Sequence, residues 1–328
     1  MARGELMKKL LASYGRDEEF RAVAEQIISE EEKKNNVVLA RSLRKTLENP
    51  SKPTRPKALA PLIPFPEAAG DFIERVEPVH SRQDIVLSHD NVRVFAGLLM
   101  EFRSGEQIRR RGLSVRSKLL FCGPPGCGKT LCAEIFASEV GLPLYIVKLD
   151  RLISSYLGET AANIRKLFEF SRKQPCVLFF DEFDALARAR DDAGEHNELR
   201  RVVNSLLIFI DRIKPAGFLI AATNLDRSLD PAVWRRFEEV VWFDRPDDKM
   251  IRQYLGRKFK NVILGFDPSE HITSLAGFSF ADIERVCVQA IKAAIVKRQK
   301  DVRADDFEQA LADERRRRRD YSRLENRS

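Results

Sequence analysis

The segment Gly123-Pro124-Pro125-Gly126-Cys127-Gly128-Lys129-Thr130 has the residue types and spacing of a phosphate cradle, G-x-x-x-x-G-K-[ST]. Its glycines let successive backbone N–H groups turn inward, and a helix N-terminus behind them adds partial positive charge. Apolar Leu119, Leu120 and Phe121 precede it as a strand, and a helical stretch running on through Leu131 follows. In such a loop Lys129 sets its ammonium on the β and γ phosphates, and the Thr130 hydroxyl ligates magnesium. About fifty residues further on, Val177-Leu178-Phe179-Phe180 reads as a buried strand that delivers Asp181 and Glu182 to the same sheet edge. One carboxylate there can hold a magnesium shell, and its neighbour can accept a proton from an attacking water. Alone, an Asp-Glu pair is a weak signal; downstream of a phosphate loop it points to hydrolysis of a nucleoside triphosphate.

An α/β architecture is needed to bring these pieces together. Lys118–Cys122, Leu144–Leu149, Cys176–Asp181, Phe218–Thr223 and Glu239–Phe243 are short, apolar and bounded by turn residues. Helical stretches between the first four are long enough for right-handed crossovers, which predicts a parallel five-stranded sheet flanked by helices on both faces. Past Pro246 the strands stop, and Ile251–Phe259, Ala281–Val296 and Ala304–Ala312 read as a small all-helical lid. Ahead of the sheet, residues 1–48 carry three apolar stripes at helical spacing and predict a short helical bundle. Six prolines between Pro50 and Pro66 forbid helix or central strand, so 49–83 reads as a linker. The expected division is therefore bundle 1–48, linker 49–83, large subdomain 84–245, lid 246–313 and an Arg-rich tail 314–328.

Composition narrows the class of protein. The 328 residues hold 57 Lys and Arg against 49 Asp and Glu, a formal net charge of +8. Seven arginines and three acids from Glu314 onward account for +4 of it, so the body is nearly balanced and is not built throughout to coat nucleic acid. No apolar run approaches the ~20 residues of a membrane span, and the start lacks a secretory pattern. Five cysteines without a Cys-x-x-Cys pair, and four scattered histidines, give no zinc spacing. Free buried thiols in a reducing compartment, hence a soluble cytoplasmic protein, are expected.

GPPGCGKT with VLFFDEFD, then AATN and LDPAVWRRF, resembles the AAA+ ATPases, and within them the classical AAA clade, from about Asp84 to Asp313. The compact Arg-Arg-Phe form is similar to that of katanin and spastin relatives, where many others write R-P-G-R-F-D. The resemblance implies ATP and Mg2+ bound at a subunit boundary of a homo-oligomer, usually a hexameric ring. It makes Asn224 the sensor that orients the attacking water, and Arg235 and Arg236 the fingers that reach a neighbour's γ-phosphate. It makes Tyr156 and Leu157, before Gly158, a pore loop that grips extended polypeptide, and places His196 where a second pore loop falls. Tyr254 and Lys258 match positions near adenine, with Ile85 and Val86 on the other side. Ala281 stands where replication initiators and clamp loaders carry a sensor arginine.

These features favour a motor that remodels, unfolds or threads protein substrates. The rival is a nucleic-acid-linked ATPase, whose sequence support is the run Arg315–Arg319, and a non-threading assembly or signalling ATPase is a third reading. The chain carries neither H-E-x-x-H nor G-x-S-x-G, so a proteolytic role is expected to require another polypeptide. Residues 1–48 are the expected dock for an adaptor, substrate or separate protease.

Overall fold

The run Leu119-Leu120-Phe121 cannot alternate with polar residues because both of its faces are covered. In the computed structural model, which describes residues 72–154, 157–184, 197–224 and 231–325, it lies in strand β2 (Lys118–Cys122), an interior strand of the sheet with a neighbour on each side. Its neighbours are β5 (Phe218–Thr223) and β6 (Glu239–Trp242), both parallel to it. β4 (Val177–Phe180) joins β5, and β3 (Leu144–Val147) joins β4, again in parallel. Successive side chains go to opposite faces. Leu120, Leu178, Leu219 and Ala221 pack on one side with residues of α5 (Leu157–Lys173) and α6 (Asn197–Arg212). Leu119, Phe121, Phe179 and Ile220 pack on the other with α1 (His89–Arg103) and α3 (Lys129–Val140). A short α2 (Gly105–Arg110) follows α1, and α4 (Leu149–Ser154) follows β3.

The five expected parallel strands are present, and a sixth extends the sheet. β1 (Ile73–Val76) pairs antiparallel with β3, giving the order β1-β3-β4-β5-β2-β6. These residues fall within the 49–83 segment read as linker, so that boundary is corrected: past the proline run the chain joins the sheet. Glu74 and Arg75 hide the strand in the sequence, since short charged strands are typical of sheet edges. Lys148 secures the edge, its N–H donating to the Phe72 carbonyl at 2.8 Å and its ammonium pairing with Glu74 at 2.7 Å.

The lid comprises α8 (Asp248–Lys258), two 3-10 turns (Pro268–His271 and Thr273–Leu275), α9 (Phe280–Val296) and α10 (Ala304–Glu325); the four-residue α7 (Pro231–Trp234) precedes β6. Ile251, Leu275, Ile283, Val286 and Phe307 form its separate core. A capping box starts α9: Ser279 Oγ accepts from the Asp282 N–H, and the Asp282 carboxylate accepts from the Ser279 N–H. Ser279→Ala is expected to lower stability by about 0.5–2 kcal/mol, read as a shifted urea midpoint with unchanged slope.

Residues 314–325 belong to the last lid helix rather than to a separate tail. α10 continues to Glu325, and two of its arginines bind the turns that precede α9. Arg315 donates to the Ser274 carbonyl at 2.9 Å and Arg318 to that of Gly277 at 3.0 Å, with the Arg318 guanidinium 4.5 Å from the Phe278 ring centre. The expected bundle at 1–48 lies outside the described residues. No described helix is long and apolar enough to cross a membrane, and all five cysteines are buried and form no disulfide.

Candidate functional site

The turn between β2 and α3 needs backbone that only glycine adopts without strain. Gly123, Gly126 and Gly128 have φ of 141°, 75° and 90°. A Cβ on Gly123 would stand 2.2 Å from the Phe243 carbonyl oxygen, and one on Gly126 would stand 2.9 Å from the Ala281 Cβ. The second contact comes from the lid: the Ala281 N–H donates to the Gly126 carbonyl at 3.1 Å. The lid is thus seated directly on the phosphate loop.

Lys129, the first residue of α3, is buried, and its ammonium donates to the carbonyls of Gly123 (2.6 Å) and Pro124 (3.0 Å) and to Asn224 Oδ1 (2.8 Å). Desolvation lowers its pKa, against the opposing pull of the Cys127 thiol and the carboxylates of Asp181 and Asp184. Thr130 Oγ1 donates to Asp181 Oδ2 at 3.2 Å. Those are hard oxygen donors, a hydroxyl and a carboxylate. That donor set fits magnesium, which is usually held by one or two carboxylates plus substrate phosphates and water.

Glu182 follows at the exit of β4 with φ 50°, a left-handed conformation that costs a non-glycine residue about 1–2 kcal/mol. Strain of this kind concentrates at functional positions. The Glu182 N–H donates to Asp181 Oδ1 at 3.0 Å, and its exposed carboxylate borders the same cavity as Lys129. At the end of β5 the Asn224 N–H donates to Asp184 Oδ1 at 3.3 Å, which orients the asparagine. Asp184 is buried, and Thr223 Oγ1 lies 3.5 Å from the same oxygen. Its part in holding Asn224 is absent from the sequence reading; the signal is a third acid at the strand exit, two positions past Glu182.

A cavity of about 690 Å³ gathers the candidates. Lys129, Thr130, Leu131, Asp181, Glu182 and Asn224 border it with Pro125, Gly126 and Gly128, and Ile85, Val86, Tyr254, Lys258 and Ala281 border it as well. Tyr254 packs on Phe280 with ring centres 5.3 Å apart, and burial pushes its phenol pKa up, keeping it a hydrogen-bond donor. Lys258 pairs with Glu284 at 2.5 Å. Gly123, Pro124 and Cys127 shape the loop without bordering the cavity; burial also raises the Cys127 thiol. His80, Gln83, Asp84, Arg257 and Glu284 border it too, unanticipated from sequence.

Arg235 and Arg236 lie elsewhere. Arg235 is exposed just past α7, and Arg236 donates to the Leu207 carbonyl and pairs with Asp211 of α6 at 3.1 Å. Neither borders the cavity of its own chain. Leu157 opens α5; Tyr156 and His196 lie outside the described residues.

Comparison with known proteins agrees with this geometry. Residues 119–245 match the ATPase family associated with various cellular activities (AAA). The chain is 73% identical over 326 residues to an AAA family ATPase of Sinorhizobium fredii, y4kL, covering 99% of each. It is 33% identical over 236 residues to the ATP-dependent zinc metalloprotease FtsH of Halothermothrix orenii, covering 69% of this chain and 38% of that one. It is 38% identical over 213 residues to the FtsH of Paraburkholderia phymatum, covering 62% and 33%. The chain therefore spans under two fifths of either metalloprotease.

Proposed function

The chain belongs to the AAA family of ATPases, and from that premise we propose a ring-forming motor that spends ATP on remodelling protein substrates. The observation that carries this reading is the separation of Arg235 and Arg236 from the cavity that holds Lys129, Glu182 and Asn224. Charge builds on the γ-phosphoryl oxygens in the transition state, and a guanidinium is the group suited to meet it. Arg257, which does border the cavity, is engaged with backbone carbonyls. A guanidinium from a neighbouring copy completes the site, and head-to-tail contacts of this type close into rings, a hexamer in our reading.

Within that site Glu182 takes the proton of the attacking water, Asn224 orients the water, and Lys129 holds the β and γ phosphates. Thr130 and Asp181 would hold magnesium, which supplies charge neutralisation between the phosphates. Ile85 and Val86 wall the adenine on one side, and Tyr254, Lys258 and Ala281 on the other.

Tyr156, with Leu157 and His196, is assigned to grip the substrate chain in the pore. The FtsH relatives, whose names couple ATP to proteolysis, support a polypeptide as the cargo. The Arg-rich end of α10 supports the nucleic-acid alternative less than its sequence does, since Arg315 and Arg318 are committed to lid carbonyls. Residues 1–48 are assigned to docking a substrate, adaptor or separate protease, and five cysteines outside any disulfide suit the cytoplasm. The test is Tyr156→Ala. The variant is expected to keep hydrolysing ATP and to lose unfolding of a fluorescent protein substrate; unchanged unfolding would refute the threading role.

A further inference from the structure

The segment from Glu77 to Leu87, between β1 and α1, has no regular secondary structure, yet it borders the nucleotide cavity through His80, Gln83, Asp84, Ile85 and Val86. It is fastened at both ends. Toward β1, Glu134 of α3 accepts the N–H groups of Val79 (2.8 Å) and His80 (3.0 Å), and its Oε1 lies 2.9 Å from His80 Nδ1. Burial alone would raise the Glu134 carboxyl, but the N–H groups of His80 and Val79 and the imidazole outweigh it and hold it low. A turn closed by Ser81 and Asp84 stiffens the middle, with the Ser81 N–H donating to Asp84 Oδ2 at 2.7 Å. Toward α1, Arg257 of the lid helix α8 donates through one nitrogen to the carbonyls of Gln83 (2.9 Å) and Ile85 (2.6 Å).

We propose that this segment is a strap whose two clasps, Glu134 on the phosphate-loop helix and Arg257 on the lid, make base binding and lid position a single event. Arg257 is the positioning residue of the pair. Two carbonyls bound to one guanidinium fix the backbone of 83–85, and with it the wall formed by Ile85 and Val86. Arg257 moves with the lid. A lid that swings away must therefore either break two charge-assisted hydrogen bonds or carry the strap with it, and in both cases the base loses its wall. Glu134 moves with the phosphate loop, so the strap spans the elements that meet the two ends of the nucleotide. The inference rests on the assignment of Ile85 and Val86 to the adenine wall.

The test uses the full chain and measures ADP affinity by calorimetry, kcat at saturating ATP, and amide exchange with and without ADP. Arg257→Ala is expected to weaken ADP binding about ten- to a hundredfold, with kcat changing far less. ADP should then no longer protect amides 79–86, while its protection of 123–131 persists at saturation. A residue that merely supported the fold would loosen both segments together. Unchanged ADP affinity, or strap protection equal to that of the parent chain, would overturn the inference. Should Arg257→Ala not fold, Arg257→Lys decides: it keeps the cation on a shorter side chain that cannot place its donors where the guanidinium nitrogen sits, and is expected to show the same pattern at smaller amplitude. Val86→Asp tests the underlying wall. If it leaves ADP affinity intact, the adenine assignment falls and the inference with it; if it weakens binding while Arg257→Ala does not, the clasp alone is refuted.

Discussion

The double variant Arg235→Ala, Arg236→Ala is expected to hydrolyse ATP about a thousand- to a hundred-thousandfold more slowly than the parent chain. Its own cavity keeps its whole lining, because neither arginine borders it. ATP binding should therefore persist while turnover collapses. The decisive measurement mixes this variant with Glu182→Gln, which retains both arginines but lacks the base. Each homogeneous preparation is silent. In a mixed assembly, a Glu182-bearing site can face an Arg235-bearing neighbour, and a fraction of turnover should return in proportion to such junctions. A mixture as silent as its components would exclude completion of the site in trans. Full turnover by the double variant alone would remove both arginines from the reaction.

Lys129→Ala should act first on binding, weakening it strongly. The ammonium is held by two loop carbonyls and Asn224 Oδ1, all uncharged acceptors. A polyphosphate offers ionised oxygens, and charge-assisted hydrogen bonds are roughly twice as strong as neutral ones. Loss of one partner from such a pair costs about 2–5 kcal/mol, so the Kd for ATP should rise about thirty- to several-thousandfold. Affinity of the parent chain should also fall at alkaline pH. Desolvation lowers the Lys129 pKa, phosphate requires the charged form, and deprotonation therefore begins below the pH of an ordinary lysine. Binding by Lys129→Ala as tight as that of the parent chain, from fluorescence titration, would contradict the assignment.

The chemical centre was legible because its logic is local. A loop that curls around phosphate must place glycines at Gly126 and Gly128, where φ is positive, and must be followed at once by Lys129 and Thr130. Asp181 and Glu182 announce themselves because two acids end the apolar run Val177–Phe180. The parallel strands were legible for the same reason: burial on both faces demands uninterrupted apolar residues, and five such runs stand out. Asn224, Arg235, Arg236 and the residues assigned to the adenine wall carry no local chemical signature, and only family likeness pointed to them.

What the sequence left open is what depends on distant backbone. Ile73–Val76 looked like linker because an edge strand is defined by its partner β3, about seventy residues away, and not by its own polarity. Arg315 and Arg318 read as part of an Arg-rich tail because their partners are main-chain carbonyls 41 residues upstream, and every residue type has a carbonyl. Arg257 and Glu134 were invisible for that reason too: one serves carbonyls more than 170 residues away and the other serves amides about 55 away. Side-chain identity thus determined which reaction this chain is equipped for, since charge, acidity and glycine torsions belong to the residues themselves. Which groups hold those residues in register was decided only by the tertiary structure, because the backbone atoms they hold are the same at every position until folding brings particular ones near.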